Sequence, residues 1–145
     1  MITRKKFLKA SAGTAIAYSA LNQLGAQDHS KHVKPLPQNT EKAIQSAADC
    51  IAAGEICKAH CIELLGMGDK KMYECIKSVS ETITLCESFM VLASQKSPLT
   101  GKIKSLCIKA CQICKDECMK HATHHKQCKD CADACADCIK IMKKA

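Results

Sequence analysis

The 145-residue chain has very few aromatic side chains: no Trp, two Tyr and two Phe. Aromatic rings usually supply much of a core's buried area, so another residue type must fill the interior. The scarcity also argues against nucleic acid as a partner, because bases stack on aromatic side chains. Proline is limited to three residues, and alternating strand-like segments are absent. No apolar run is long enough to span a membrane. Several catalytic signatures are missing too. There is no C-x-x-C-H for covalent haem, no H-E-x-x-H and no paired Glu-x-x-His of di-iron bundles. The chain is read as a binding protein and not an enzyme.

What the chain does have is cysteine, 13 of 145 residues. That approaches the fraction that marks a thiol-dominated scaffold. Formal net charge is +8, and four of the positive charges are Arg4, Lys5, Lys6 and Lys9. With those set aside the surplus falls to +4, spread among interspersed charges of both signs.

Residues 1–26 read as an export signal. A basic start precedes a short, mildly apolar run that ends near Ala26, too short and polar for a span. The stretch Thr3-Arg4-Lys5-Lys6-Phe7-Leu8-Lys9 is similar to a twin-arginine signal, with Lys5 in place of the second arginine. The expected location is therefore periplasmic, with the cytoplasm as the alternative. Residues 27–38 form a polar linker holding His29, His32, Pro35 and Pro37. Residues 39–145 form one domain.

Breaks divide that domain into four helices, over about residues 39–65, 70–94, 98–121 and 123–143. Asn39 or Thr40 can cap the first. Gly66-Met67-Gly68 ends it, and Asp69 caps the second. Ser97-Pro98 starts the third. No Gly or Pro marks the last junction, so helices three and four could be one kinked helix. Short connections make consecutive helices antiparallel. The expected fold is all-α, an up-down-up-down four-helix bundle of helices roughly 30–38 Å long.

At 100° per residue the cysteines collapse onto one stripe per helix. Cys50, Cys57 and Cys61 span about 40° of the first, and Cys75 and Cys86 about 20° of the second. Cys107, Cys111, Cys114 and Cys118 span about 60° of the third, and Cys128, Cys131, Cys135 and Cys138 about 80° of the fourth. Ala47, Leu64, Val79, Phe89, Leu106 and Ile139 lie on or beside these stripes. Glu55, Lys58, Lys77, Glu81, Lys109 and Asp116 lie opposite. The stripes are therefore the core face. Counted from the loops between helices one and two and between three and four, every thiol lies roughly 6–25 Å along the bundle. Beyond them Ala43, Phe89, Met90, Leu99, Ile103 and Met142 form an apolar plug. At the other end His60, Met67, Met72, Met119, His121, His124 and His125 gather where an ion would pass. Of these, His60, Met72, Met119, His121, His124 and His125 are candidate mouth ligands.

Thiols at i+3 and i+4 have Cβ atoms about 5–6 Å apart. A disulfide wants roughly 3.5–4.5 Å, and 13 is odd. Soft thiolates select Cu(I), zinc or iron–sulfur clusters. The iron–sulfur run C-x₂-C-x₂-C-x₃-C-P is missing. Zinc wants closed tetrahedral sites, into which a continuous thiol tube does not divide naturally. Cu(I) accepts two or three sulfurs, and one thiolate can bridge two ions. The expected cargo is on the order of ten or more Cu(I) ions per chain, held by all thirteen thiols. Zinc or general soft-metal sequestration and a thiol–disulfide redox role are the alternatives.

Thirteen cysteines on four amphipathic helices, dense in C-x-x-x-C-x-x-C-x-x-x-C and C-x-x-C-x-x-x-C-x-x-C, together with the leader, resemble the bacterial copper storage proteins and their exported branch. The resemblance covers residues 39–143. It implies a Cu(I) reservoir inside the bundle, for supply to copper-dependent enzymes or chaperones or for detoxification. It also implies a homotetramer.

Overall fold

The computed structural model describes residues 34–145. The leader and most of the linker, His29 and His32 included, lie outside the described residues. Four helices follow: α1 (Gln38–Gly66), α2 (Met72–Ser94), α3 (Thr100–Met119) and α4 (Lys126–Met142). Each lies against the next in sequence and α4 closes back on α1, while the diagonals make no close backbone approach. The direction of each helix follows from which thiols meet. Late α1 meets early α2 at Cys61 and Cys75 and early α4 at Cys57 and Cys128. Early α2 meets late α3 at Cys75 and Cys118, and late α3 meets early α4 at Cys114 and Cys131. The antiparallel four-helix bundle expected from the sequence is the fold.

The helix ends depart from expectation for local reasons. Neither Asn39 nor Thr40 caps α1. The Pro37 carbonyl accepts the Thr40 and Glu41 amides, and no side chain caps the helix. At the other end Gly68, at φ +99°, lets the Gly68 and Asp69 amides fold back onto the carbonyls of Leu65 and Leu64. This is a Schellman motif, which needs the left-handed conformation that glycine adopts without strain. Asp69 accepts the Lys71 amide in a turn, so α2 starts at Met72 and not at residue 70. Ser97 accepts the Leu99 amide, and α3 begins at Thr100, two residues past Pro98. Helices three and four are separate. α3 ends at Met119, and His125, extended at φ −129° and ψ 105°, breaks the backbone before Lys126.

The buried faces keep the 3–4 spacing of an amphipathic helix. On α1 they are Ala43, Ser46, Ala47, Cys50, Gly54, Cys57 and Cys61. Gly54 lets α1 and α2 approach closely. A Cβ there would lie 3.2 Å from Ile83 Cγ1. The plug holds Ala43, Phe89, Ala93 and Met142, all buried, with Met90 and Ile103 half-buried against it. Leu99 does not belong to it. It sits in the turn before α3 and is 51% exposed. Leu106 is also exposed, at 53%, because it falls on a flank of α3 and not on the inward face.

Candidate metal centre

All thirteen cysteines are free and buried. Because the four stripes face one axis, thiols from different helices come into contact along the bundle. Nearest the loops that join α1 to α2 and α3 to α4, Cys61 lies 3.9 Å from Cys57, 3.7 Å from Cys75 and 3.8 Å from Cys128 (all Sγ–Sγ). Cys118 continues inward, 3.6 Å from Cys75 and 3.9 Å from Cys114, which is 3.8 Å from Cys131. Cys114, Cys131 and Cys135 lie within 4.8 Å of one another, and Cys135 is 3.7 Å from Cys50. At the far end Cys50 and Cys86 each lie 4.0 Å from Cys111, and Cys86 lies 3.1 Å from Cys107. Beside the last thiol, Cys138, stands a residue the sequence reading passed over. Ser46 Oγ lies 3.9 Å from Cys138 Sγ while donating to the Ala43 carbonyl. Its signal was its place four residues before Cys50 on the same stripe.

The expectation that the tube would not divide into closed sites is corrected by these contacts. Two groups of four thiols, Cys50–Cys86–Cys111–Cys138 and Cys57–Cys61–Cys75–Cys128, each lie within 4.8 Å all round. Helical spacing alone could not reveal them, since each group draws on three or four helices.

The mouth ligands expected from the sequence are only partly brought together. His60 on α1 and His125 at the start of α4 share a hydrogen bond, Nε2 to Nδ1, of 3.0 Å. His121, His124 and His125 line a cavity of ≈ 520 Å³ above Met72, with Asp69, Glu74 and Glu117 also in its wall. Of these carboxylates only Asp69 was singled out from the sequence, and as a helix cap, although all three sit at helix ends that the topology places at this end. Met72 is 2% exposed and reaches into the core. Met119 is 49% exposed and Met67 81%, and neither lines the cavity.

A family profile described as "Csp: Copper storage protein" matches residues 36–144. The chain belongs to the copper storage protein family. Among curated relatives, an uncharacterized cysteine-rich protein of Bacillus subtilis (strain 168), YhjQ, is 30% identical over 103 residues, 71% of this chain and 92% of that protein. Among solved structures, the Cu(I)-bound copper storage protein BsCsp3 superposes with a TM-score of 0.66 at 28% identity, covering 74% of this chain and 97% of that one. A cytosolic copper storage protein of Streptomyces lividans, solved during copper loading with five coppers, superposes at 0.68 with 23% identity, covering 74% and 91%; it matches in fold.

In this copper storage fold the thiols do not share protons evenly. Neighbouring thiols and burial push Cys86, Cys118 and Cys135 well above the ordinary thiol value, led by Cys107, Cys114 and Cys111 respectively. Cys111, Cys128 and Cys131 go the other way, because adjacent S–H groups donate to their sulfurs, led by Cys107, Cys57 and Cys114. Cys138 is brought down to about 5, chiefly by Cys107. The thiolate, not the thiol, binds metal. The bundle therefore interleaves sulfurs ready to bind with sulfurs that must first lose a proton.

Proposed function

We propose that this chain stores Cu(I), taking many ions along its axis through Cys50, Cys57, Cys61, Cys75, Cys86, Cys107, Cys111, Cys114, Cys118, Cys128, Cys131, Cys135 and Cys138. The observation that carries this reading is the unbroken run of sulfur contacts among thirteen buried, unbridged thiols. Soft two- and three-coordinate ions fit such a run, with shared sulfurs bringing capacity to about one ion per thiol. A redox role would call for an exposed, low-pKa pair, and every cysteine is buried.

Ions pass in at the histidine end. His121, His124 and His125 offer imidazole nitrogens in the cavity wall, His60 joins them through its bond to His125, and the buried Met72 offers a thioether in the same wall. Met119, half exposed and outside the cavity wall, serves as an outer contact. The leader-like residues 1–26 support export, with delivery to copper-dependent enzymes or chaperones, or protection from excess copper, as the outcome. The Streptomyces relative is described as cytosolic, so the leader is what would set this chain's compartment apart. Homotetramer formation is supported by the family resemblance and by exposed apolar residues at seven-residue spacing, Leu99 in the turn before α3 and Leu106 and Ile113 on it.

An anaerobic titration of reduced protein with Cu(I) against a competing chelator tests the storage reading. About ten or more tightly held ions per chain are expected. Saturation at three or fewer would refute it. Fractionation of expressing cells and the mass of the mature chain test export and cleavage near Ala26, and light scattering tests the tetramer.

A further inference from the structure

The thirteen thiols are not spatially equivalent. Eight of them form two quartets that share no residue, and the remaining five link or flank these. The mouth quartet, Cys57, Cys61, Cys75 and Cys128, has contacts of 3.9, 3.8, 3.7 and 3.8 Å along four of its six edges, and all six lie within 4.8 Å. The deep quartet, Cys50, Cys86, Cys111 and Cys138, has two edges of 4.0 Å and the same outer bound. It takes one thiol from each of the four helices.

These spacings match a known coordination polyhedron. A tetrahedral zinc site with Zn–S of about 2.3 Å has sulfurs about 3.8 Å apart. A flat square of that edge would have diagonals of about 5.4 Å, longer than any separation in either quartet. So the sulfurs of each quartet do not form a flat square, and an ion at the centre meets all four. Cu(I), content with two or three sulfurs, has no need of such a closed group. Zinc does, having no d-electron preference beyond filling a tetrahedral shell. The two three-thiol groups, Cys57–Cys118–Cys131 and Cys114–Cys131–Cys135, would leave zinc a fourth position to be filled from an interior of buried thiols.

We propose that, independently of copper storage, the metal-free bundle binds two Zn(II) ions per chain, one in each four-thiol group. Each ion displaces the protons still held by its four thiols, up to four, and leaves a tetrathiolate centre of charge −2. No electron is transferred. The mouth centre lies at the end of the bundle that carries the cavity walled by Asp69, Glu74 and Glu117, by Lys71 and Lys120 and by three histidines, and it is the first to fill. The deep centre ties all four helices together. Cu(I), the softer ion, replaces both when it arrives.

The test is an anaerobic titration of the reduced full-length chain with Zn(II) against a competing chelator, and with Co(II) as a spectroscopic stand-in. Two tight zinc equivalents are expected, with the visible bands of tetrahedral four-sulfur cobalt saturating at the same point. Cys61→Ser should lower the count from two to one by removing the mouth site, and Cys86→Ser should do so by removing the deep site. Cys114→Ser, outside both quartets, should leave two. Binding of no zinc, a cobalt spectrum of fewer than four sulfurs, or an equal loss from all three substitutions would overturn the proposal. Should a variant fail to fold, the wild-type cobalt spectrum and stoichiometry still decide. Cu(I) capacity is read separately, so failure here leaves the storage reading untouched.

Discussion

At one end of the bundle the space between the helices is filled by Phe89, Met142, Ala43 and Ala93. Through the rest of its length it is filled chiefly by thiols, with Ala47, Val79, Ile83 and Met72 among them. Phe89 and Met142 are among the largest fully buried side chains, and burying one such side chain stabilises the fold by about 1.5–3 kcal/mol. A cysteine packs as a small apolar residue with a weak donor, and a column of them contributes less per residue. The plug therefore contributes more per residue to holding the four helices together before metal arrives, and the thiol column is what metal then holds. The sharpest way to break this comparison is Phe89→Ala. Truncating a buried Phe typically costs about 3–5 kcal/mol, and urea unfolding of the reduced, metal-free protein should show a loss of that size. A loss under about 1 kcal/mol would mean that the thiol column supports the bundle by itself.

The second expected effect sharpens the comparison from the other side. Ions that bind only the folded state stabilise it by mass action, about 2.7 kcal/mol per site at a free concentration of 100 times Kd. Copper loading should raise the thermal midpoint of the wild-type protein, and it should restore much of what Phe89→Ala removes. Calorimetry of metal-free and loaded samples reads both. A midpoint unmoved by copper would show that the ions bind outside the column or bind the unfolded chain equally well.

Much of this architecture was legible in the sequence, because the signals involved are local. Cysteines at i+3 and i+4 define a face without knowledge of any partner, and Gly68 and Pro98 punctuate the chain at the turns. Other features depend on relations between helices. The four-thiol groups need the vertical register of three or four helices, which a helical wheel does not contain. The His60–His125 bond joins residues 65 apart. Leu106 and Leu99 show the limit on the wheel itself. Angle separates inside from outside, but it does not say how far a neighbouring helix covers a flank or where the helix begins. The cap of α1 was misplaced because a backbone carbonyl, that of Pro37, did the work assigned to a side chain.

The third effect concerns protons and separates sulfurs within the column. Cys86, Cys118 and Cys135 lie well above the ordinary thiol value, so they are protonated at neutral pH in the metal-free protein. A metal ion must displace those protons, and lowering the pH strengthens the competitor. Affinity therefore falls with falling pH, by about 1.4 kcal/mol per unit for each proton displaced. Cys138, at about 5, is already a thiolate at neutral pH and gives up little. Titrations at two pH values one unit apart, with proton release followed in weak buffer, should show the first copper equivalents releasing fewer protons than later ones. A constant release per ion would place the thiols on an equal footing.

The smallest effect lies at the opposite end from the plug, where the histidines should influence how fast ions enter and not how many are held. The His60–His125 bond is a net contribution of about 0.5–1.5 kcal/mol, and neither ring touches the deep thiols. His60→Ala and His125→Ala should each slow Cu(I) uptake by up to about tenfold in stopped-flow mixing with a chelated donor. The final number of ions per chain should stay the same. Because the two rings bond to one another, the double variant should lose less than the sum of the two single losses. The comparison with the plug then closes on a contrast in kind: a change at Phe89 alters the stability of the fold before loading, and a change at His60 alters only the rate. If His60→Ala lowered capacity along with rate, the imidazole would be a storage ligand, and the column would extend past Cys61 into the mouth.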